Sequence, residues 1–302
     1  MKIKRICLAL TCAAFIPVTN AESNAEKIDY SFYGSLRAMV ESTKHDNGDD
    51  FKDTLSRIGI KGSHDLGNGL SGFALYELKV DIAEGELGSE TGKDARQAYI
   101  GLSGDFGTVM AGRYWSTFYN AIAWAPDQLL LSSAPVYYTL DANFHIGKSV
   151  MYTSPDLNGL QVSALYSNEV EQSQFAATYR ISDSLKVAAG MINDDENDSA
   201  AVAVYYNTNG YYLNGMYMDK DNTGQGADIM GGVTSGKNSY ALGVSTFEDS
   251  TDAGNDFDAV ILSYQHAIHP QMQFWLEASA WDGVLYGTPD SNVTRVGIKY
   301  DF

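Results

Sequence analysis

The feature that most constrains this chain is a side-chain period of two that runs through almost its whole length. From position 28 to 40 the even residues read Ile, Tyr, Phe, Gly, Leu, Ala, Val, while the odd residues from 29 to 41 read Asp, Ser, Tyr, Ser, Arg, Met, Glu. A helix would space its apolar residues three and four apart, and this segment does not. At the other end Val296, Ile298, Tyr300 and Phe302 alternate with Arg295, Gly297, Lys299 and Asp301. Between them Leu160, Val162, Ala164 and Tyr166 alternate with Gln161, Ser163 and Leu165. Phe175, Ala177, Tyr179 and Ile181 alternate with Gln174, Ala176, Thr178 and Arg180. Met272, Phe274, Leu276, Ala278 and Ala280 alternate with Gln273, Trp275, Glu277, Ser279 and Trp281. Such strands present one apolar and one polar face.

The connections alternate as well. Tight ones are centred on Asp65–Gly69, Gly104-Asp105, Pro155–Gly159, Ser182–Ser184, Asn207–Gly210, Gly236–Asn238 and His269-Pro270, where Gly, Asn, Asp and Pro supply hairpin backbone angles. Longer polar stretches fall between them: Lys44–Lys52, Ala83–Lys93, Asn193–Ser199, Asp219–Gly226 and Glu248–Asp256. Short turns on one rim and long loops on the other are the layout of outer-membrane barrels.

The N-terminus reads as a cleaved export signal, residues 1–21, followed by one domain from 22 to 302. Lys2, Lys4 and Arg5 precede an apolar run, Ile6 to Pro17, that is too short to span a bilayer, and Thr19-Asn20-Ala21 offers a cleavage site. Cys12 lacks the small residues that a lipoprotein signal requires before it. Cys7 and Cys12 both lie in this segment, so the exported domain is expected to hold together without disulfides. Loss of the leader leaves 17 basic and 38 acidic residues, a net charge of −21. That charge excludes nucleic acid as a partner. A mean hydropathy of −0.21 suits a membrane barrel as well as a soluble protein, because only every second strand residue meets lipid.

The competing fold is a secreted β-sandwich. Charges in the middle of the polar stripes (Arg37, Arg57, Glu77, Arg96, Arg113, Arg180, Glu277), together with the export signal, favour a transmembrane antiparallel β-barrel. At ~9–11 residues per strand, sixteen strands consume roughly 160 of the 281 residues after the leader. Boundary error leaves fourteen or eighteen strands open.

Tyr33–Glu41, Ser56–Leu70, Ala95–Leu102, Gly112–Trp115 and Ser149–Pro155 with Gly159-Leu160 occur in an order that resembles the general-diffusion porins of Gram-negative bacteria. The resemblance implies an all-β, homotrimeric, 16-stranded barrel with short periplasmic turns, long outer loops and the third loop folded into each pore. It implies a basic wall of Arg37, Arg57, Arg96 and Arg113 at the constriction, with Glu77 as inward partner. Tyr300 and Phe302 resemble the terminal signal read by the barrel-assembly machinery. Outer-membrane lipid and lipopolysaccharide are the surroundings it implies. Independently of the family, inward arginines on neighbouring strands need carboxylates or water, since a dry core would leave them repelling.

The third loop, from about Asn120 to Gly147, departs from the family pattern. Its carboxylates are Asp127 and Asp141, expected on the acidic side of the constriction, and the family's richer acid cluster is absent. Trp124, Tyr137, Tyr138 and His145 are candidate pore-lining residues, the last standing where relatives carry arginine. Leu129-Leu130-Leu131 read as anchors of the loop to the wall.

The expected function is passive diffusion of ions and small hydrophilic solutes through a water-filled, weakly cation-selective channel in the outer membrane. A sugar- or oligosaccharide-selective channel stays open, since Trp124, Tyr137, Tyr138, Trp275 and Trp281 could stack on sugar rings, and so does a surface receptor or adhesin. An enzyme is disfavoured: His45, His64, His145, His266 and His269 have no metal-ligand spacing, and no serine sits in a hydrolase elbow. No cofactor and no metal are expected.

Overall fold

The computed structural model describes residues 29–44, 49–88, 95–131, 134–141, 143–285 and 287–302. The expected export signal, residues 1–21, and its cleavage site lie outside the described residues. Among the described residues, sixteen long strands form one antiparallel sheet that closes on itself. They are β1 (Asp29–Thr43), β2 (Arg57–Gly67), β3 (Leu70–Asp81), β4 (Ala95–Gly104), β5 (Gly107–Trp115), β6 (His145–Thr153), β7 (Leu160–Ser167) and β8 (Gln172–Arg180). The second half comprises β9 (Leu185–Asn193), β10 (Ser199–Thr208), β11 (Tyr211–Lys220), β12 (Gly224–Ser235), β13 (Asn238–Asp249), β14 (Phe257–His269), β15 (Met272–Leu285) and β16 (Thr288–Asp301). Two short pieces, Asp50–Asp53 and Glu86–Leu87, pair with the upper parts of β1 and β3.

Closure is made by β1 against β16, from Ser35 opposite Asp301 to Thr43 opposite Val293. Gly34 N donates to Phe302 O at 2.9 Å and Phe302 N returns the bond at 3.0 Å. A closed ladder leaves no edge, so every strand amide finds a partner inside the bilayer. The alternation predicted from sequence holds at both ends: Tyr30, Phe32, Val40, Val296, Ile298 and Tyr300 are exposed on the outside, whereas Ser35, Arg37 and Met39 are buried within.

The seven turns fall where the Gly- and Asn-rich segments predict. At the β10–β11 turn Asn209 and Gly210 both take positive φ, 39° and 83°, the pair of left-handed residues that a two-residue hairpin turn needs. The outer rim corrects the expectation of long loops throughout. The first three outer connections are long, but those joining β7–β8, β9–β10, β11–β12 and β13–β14 have four, five, three and seven residues, and β15–β16 has two. The strands themselves run into the polar stretches, so Asp219, Gln225, Glu248 and Asp249 are ladder residues and not loop.

The third outer connection, between β5 and β6, folds into the barrel. It holds a π-helical turn (Tyr119–Ala123) and a short helix, α1 (Pro135–Leu140). Phe118, Ile122, Ala125, Val136, Tyr137 and Leu140 are buried against inward residues of β8 to β15, including Ala176, Ala188, Ala201, Tyr205, Met216, Met218, Phe247 and Phe257. The patch of inner wall under the loop is therefore largely apolar, which the polar-inside rule did not anticipate. Five fully buried large side chains at about 1.5–3 kcal/mol each hold the loop down by on the order of 10 kcal/mol. Gly190 and Gly226 make the seat: a Cβ at Gly190 would meet Phe118 and Ile122 at 3.2 Å, and one at Gly226 would meet Val136 at 2.9 Å.

A buried loop must also satisfy its backbone. The wall supplies the partners. Gln174 Oε1 accepts from Phe118 N, Asp228 accepts from Val136 N, and Glu277 Oε1 accepts from Leu130 N. Tyr205 OH donates to Ala121 O and Lys220 Nζ donates to Leu140 O.

Elsewhere on the inner wall four aromatic residues stand directly across the ladder from glycines: Tyr33 from Gly59, Phe73 from Gly101, Tyr212 from Gly232 and Trp275 from Gly297. In each pair a Cβ on the glycine would lie 2.3–2.5 Å from the ring, so the ring rests flat on its neighbour's backbone.

Candidate functional site

Opposite the loop, the wall of β16, β1, β2, β3 and β4 carries a cluster of charge around Glu77. Glu77 lies on the inward stripe of β3 and is buried. Its Oε1 accepts from Arg96 Nε at 3.0 Å and from Gln97 Nε2 at 3.4 Å. Its Oε2 accepts from Tyr33 OH at 2.8 Å and lies 3.7 Å from Arg57 Nε. Two adjacent residues, Arg96 and Gln97, reach the same carboxylate because the β3–β4 register slips between Glu77 and Leu78. Such a bulge turns an extra side chain inward.

Arg57 begins β2 just after the break that separates it from Asp50–Asp53. Leu55 in that break takes φ 61°, an uncommon conformation for a large residue, and its carbonyl accepts from Arg57 Nη1 at 3.3 Å. Arg37 sits on β1 beside this break; Ser56 Oγ accepts from its backbone N at 2.7 Å and its own Nε donates to Ser35 Oγ at 3.0 Å. Lys299 of β16 is directly across the ladder from Arg37. A row of cations thus spans the wall: Glu77 takes Arg57 and Arg96, and Asp301 Oδ2 lies 2.9 Å from Lys299 Nζ.

Arg113 does not join this group. Its Nη1 is 3.0 Å from Glu169 Oε2, in the short β7–β8 connection, and Glu169 also accepts from Gly147 N at 2.6 Å. The β5–β6 register shifts between Gly112 and Tyr114, next to Arg113. His145 packs against Trp115 with ring centroids 4.0 Å apart and planes tilted by 41°, which holds its ring to the wall.

On the loop side, Tyr138 faces the wall. Burial raises the Tyr138 hydroxyl above the ordinary tyrosine range; Asp127 adds to the shift and Arg96 opposes it, so the ring lies within electrostatic reach of both. Asp127 Oδ2 accepts from Tyr119 OH at 2.5 Å. Trp124 is half exposed. Two expectations are corrected. Asp141 is turned away from the arginines: its Oδ1 accepts from Asn143 Nδ2 at 2.8 Å, and the cation that acts on it is Lys220 of β11. Tyr137 is fully buried beneath the loop, its OH donating to Asn143 O at 3.1 Å, and lines nothing. Both follow from α1, whose short turn can present only one side to the lumen, and Tyr138 takes it.

Of the tryptophans proposed for sugar stacking, Trp275 is fully buried over Gly297 and Trp281 packs beside the loop core. Tyr300 and Phe302 are exposed and stack on each other at the β16 end, with the Phe302 ring over Gly34. Sequence reasoning missed Tyr33, Gln97, Glu169 and Asp228. Tyr33 and Asp228 could have been found from their parity on the inward stripe. Glu169 lies 56 residues from Arg113, and no local pattern joins them.

A closed antiparallel barrel, apolar outside, whose lumen is narrowed by an inward-folded loop facing a charged wall, defines a transmembrane β-barrel of the pore-forming type. A profile of the Gram-negative porins matches residues 9–302, and the chain belongs to that family, whose place is the outer membrane. It is 32% identical over 198 residues to the major outer membrane protein P.IB of Neisseria lactamica, covering 59% of this chain and 54% of the relative. It is 29% identical over 194 residues to the protein of the same name from Neisseria gonorrhoeae, covering 59% and 52%. The chain thus spans about half the length of the curated relatives it matches. Among solved structures its fold is similar to that of OmpT of Vibrio cholerae in a trimer form, with TM-score 0.76, 16% identity, and 91% and 99% of the two chains covered. OmpF of Salmonella typhi in complex with daunomycin gives 0.75, 19%, 92% and 98%, and an anion-selective porin of Comamonas acidovorans gives 0.70, 16%, 91% and 100%.

Proposed function

We propose that the protein is a homotrimeric, water-filled channel through which ions and small hydrophilic solutes diffuse passively across the outer membrane, and not an enzyme. The observation that carries this reading is the cation row gathered on Glu77 and facing Tyr138 and Asp127 of the inward-folded loop. Charges held on opposite sides of a narrow lumen filter solutes by size and sign, and they need water to persist. The leader is removed on export, Tyr300 and Phe302 are read by the barrel-assembly machinery, and the apolar outer face meets lipid, lipopolysaccharide and the sister subunits. The trimer form of OmpT from Vibrio cholerae supports the assembly by analogy of fold.

With Asp141 turned away, the constriction carries more positive than negative charge, while the outer rim holds Asp194, Asp195, Glu196, Asp219, Asp221, Asp249 and Asp252. Rim acids act over a Debye length of ~10 Å at 0.1 M salt. They give a weak cation preference at low salt that fades as ionic strength rises. The burial of Trp275 speaks against a sugar slide, and the short later outer connections speak against a dedicated adhesin.

Single-channel recording of the purified protein in a planar bilayer tests the reading. Stepwise conductance closing in groups of three, with a reversal potential that is weakly cationic in dilute KCl and approaches zero in concentrated KCl, is expected. A silent protein overturns the channel reading, and strong anion selectivity in dilute salt overturns the assignment of the rim.

A further inference from the structure

Below the loop, toward the turn side, the lumen wall holds a second polar recess that the constriction does not use. Arg180, Lys186, Tyr205 and Asn214 are direct ladder partners in sequence, β8 to β11, and so form one horizontal row. Trp124 and Gln128 of the inward-folded loop overhang this row, and the β8–β9 turn (Ser182, Asp183) floors it, enclosing about 340 Å³. Two cations directly opposite each other on a ladder repel unless something stands between them. Arg180 has a partner, its Nη2 lying 2.8 Å from Asp156 Oδ2. Lys186 has a different one: its ammonium rests on the Tyr205 face, 3.7 Å from the ring centroid. Among the described residues no carboxylate oxygen lies within 4.0 Å of Lys186 Nζ. Asn214 Oδ1 already accepts from Tyr206 N at 3.0 Å and from Asn207 Nδ2 at 3.4 Å, which fixes both amides.

We propose that this recess is a binding site for a small aromatic carboxylate on its way through the channel. The lysine, held in place by its ring contact and without an anionic partner among the described residues, takes the carboxylate. The half-exposed Trp124 face stacks on the solute ring, a contact worth an offset aromatic pair beyond its area. Gln128 Nε2 donates to Trp124 O at 2.5 Å and keeps the loop segment over the row. Asp183 at the floor disfavours dianions, so a single carboxylate fits best. A neutral sugar would use the same ring and amides but gains nothing from Lys186.

This inference rests on the channel reading, and binding to detergent-solubilised trimer is measured apart from conductance so that either can fail alone. The probe is benzoate, with benzamide and glucose as neutral comparisons. Saturable benzoate binding is expected, weakened about tenfold or more in Lys186→Gln, as when one charge-assisted hydrogen bond is lost. It is expected to be retained in Lys186→Arg and weakened in Trp124→Ala. Heat-modifiable mobility of each variant verifies that it is folded. In recordings, benzoate on the turn side should interrupt the open current, and Lys186→Gln should shorten the interruptions. Equal binding of benzoate and benzamide, equal binding in wild type and Lys186→Gln, or tighter binding of glucose than of benzoate would overturn the proposal.

Discussion

Replacing Glu77 with Gln tests whether the cation row sets the ion preference of the pore. The amide keeps the size of the side chain and one acceptor for Tyr33 or Arg96, while Arg57 and Arg96 lose their shared anion. An uncompensated unit charge acts on an ion about 6 Å away with roughly 0.7 kcal/mol at the dielectric constant of water, or about 0.4 kcal/mol once 0.1 M salt screens it. The effect has opposite sign for anion and cation, so the ratio of their permeabilities changes by the sum, roughly threefold to tenfold toward anions. Each hydrogen bond to the lost charge contributed about 1.5–3 kcal/mol locally. Folding rests on the closed ladder, so the variant should still run as a heat-modifiable trimer. The assay is the reversal potential under a KCl gradient, read at low and high salt against wild type. An unchanged reversal potential, or a shift toward cations, would mean that this cluster does not govern ion passage.

Asp127→Asn should shift selectivity in the same direction as Glu77→Gln, whereas Asp141→Asn should leave the reversal potential unchanged, because Asp141 is turned into the loop toward Asn143. Asp228→Asn combined with Glu277→Gln removes the charge from two anchors of loop backbone amides, each worth about 1.5–3 kcal/mol. Greater open-channel current noise is expected at unchanged trimer mobility, and quiet currents would refute the anchoring role. Deleting Phe302 removes both Gly34 hydrogen bonds at the seam and the ring above Gly34, a loss of about 1–3 kcal/mol from the two bonds. A lower trimer dissociation temperature and less assembled protein in the membrane should follow; wild-type levels would contradict it.

The barrel was legible because lipid imposes parity on every strand, and parity survives in a single sequence: Tyr30, Phe32 and Val40 against Ser35, Arg37 and Met39 sufficed to orient β1. Arg57 and Glu77 could be grouped for the same reason, since both sit on inward stripes of neighbouring strands, whereas Arg96 has the outward parity of Ile100 and Leu102 and was reached only through the family resemblance. What parity cannot give is register. The slip that brings Arg96 and Gln97 together on Glu77, and the one beside Arg113 that leaves it with Glu169, depend on a single bulged residue each. The interior of the loop was illegible for another reason. Whether Tyr137 or Tyr138 meets the lumen is decided by how α1 sits on Asp228 and Gly226, nearly a hundred residues away in the chain. The apolar inner wall of β8 to β15 was visible as Ala and Met at inward positions. It reads as ordinary alternation noise until a loop is known to cover it.

The four rings that lie on cross-strand glycines carry an implication for how such a pore changes over generations. Tyr33, Phe73, Tyr212 and Trp275 line the wall by their thickness and not by their length, and what permits this is an absent side chain on the next strand. Every glycine codon is one base from alanine, valine and arginine, and any of these at position 59, 101, 232 or 297 would lift the facing ring off the wall. The calibre of the channel is therefore heritable through residues that no solute ever touches. A population exposed to a toxic solute has in Gly101, Gly232 and Gly297 a one-step route to narrower pores with the charged constriction left as it was, whereas at Gly59 the displaced Tyr33 would also give up Glu77.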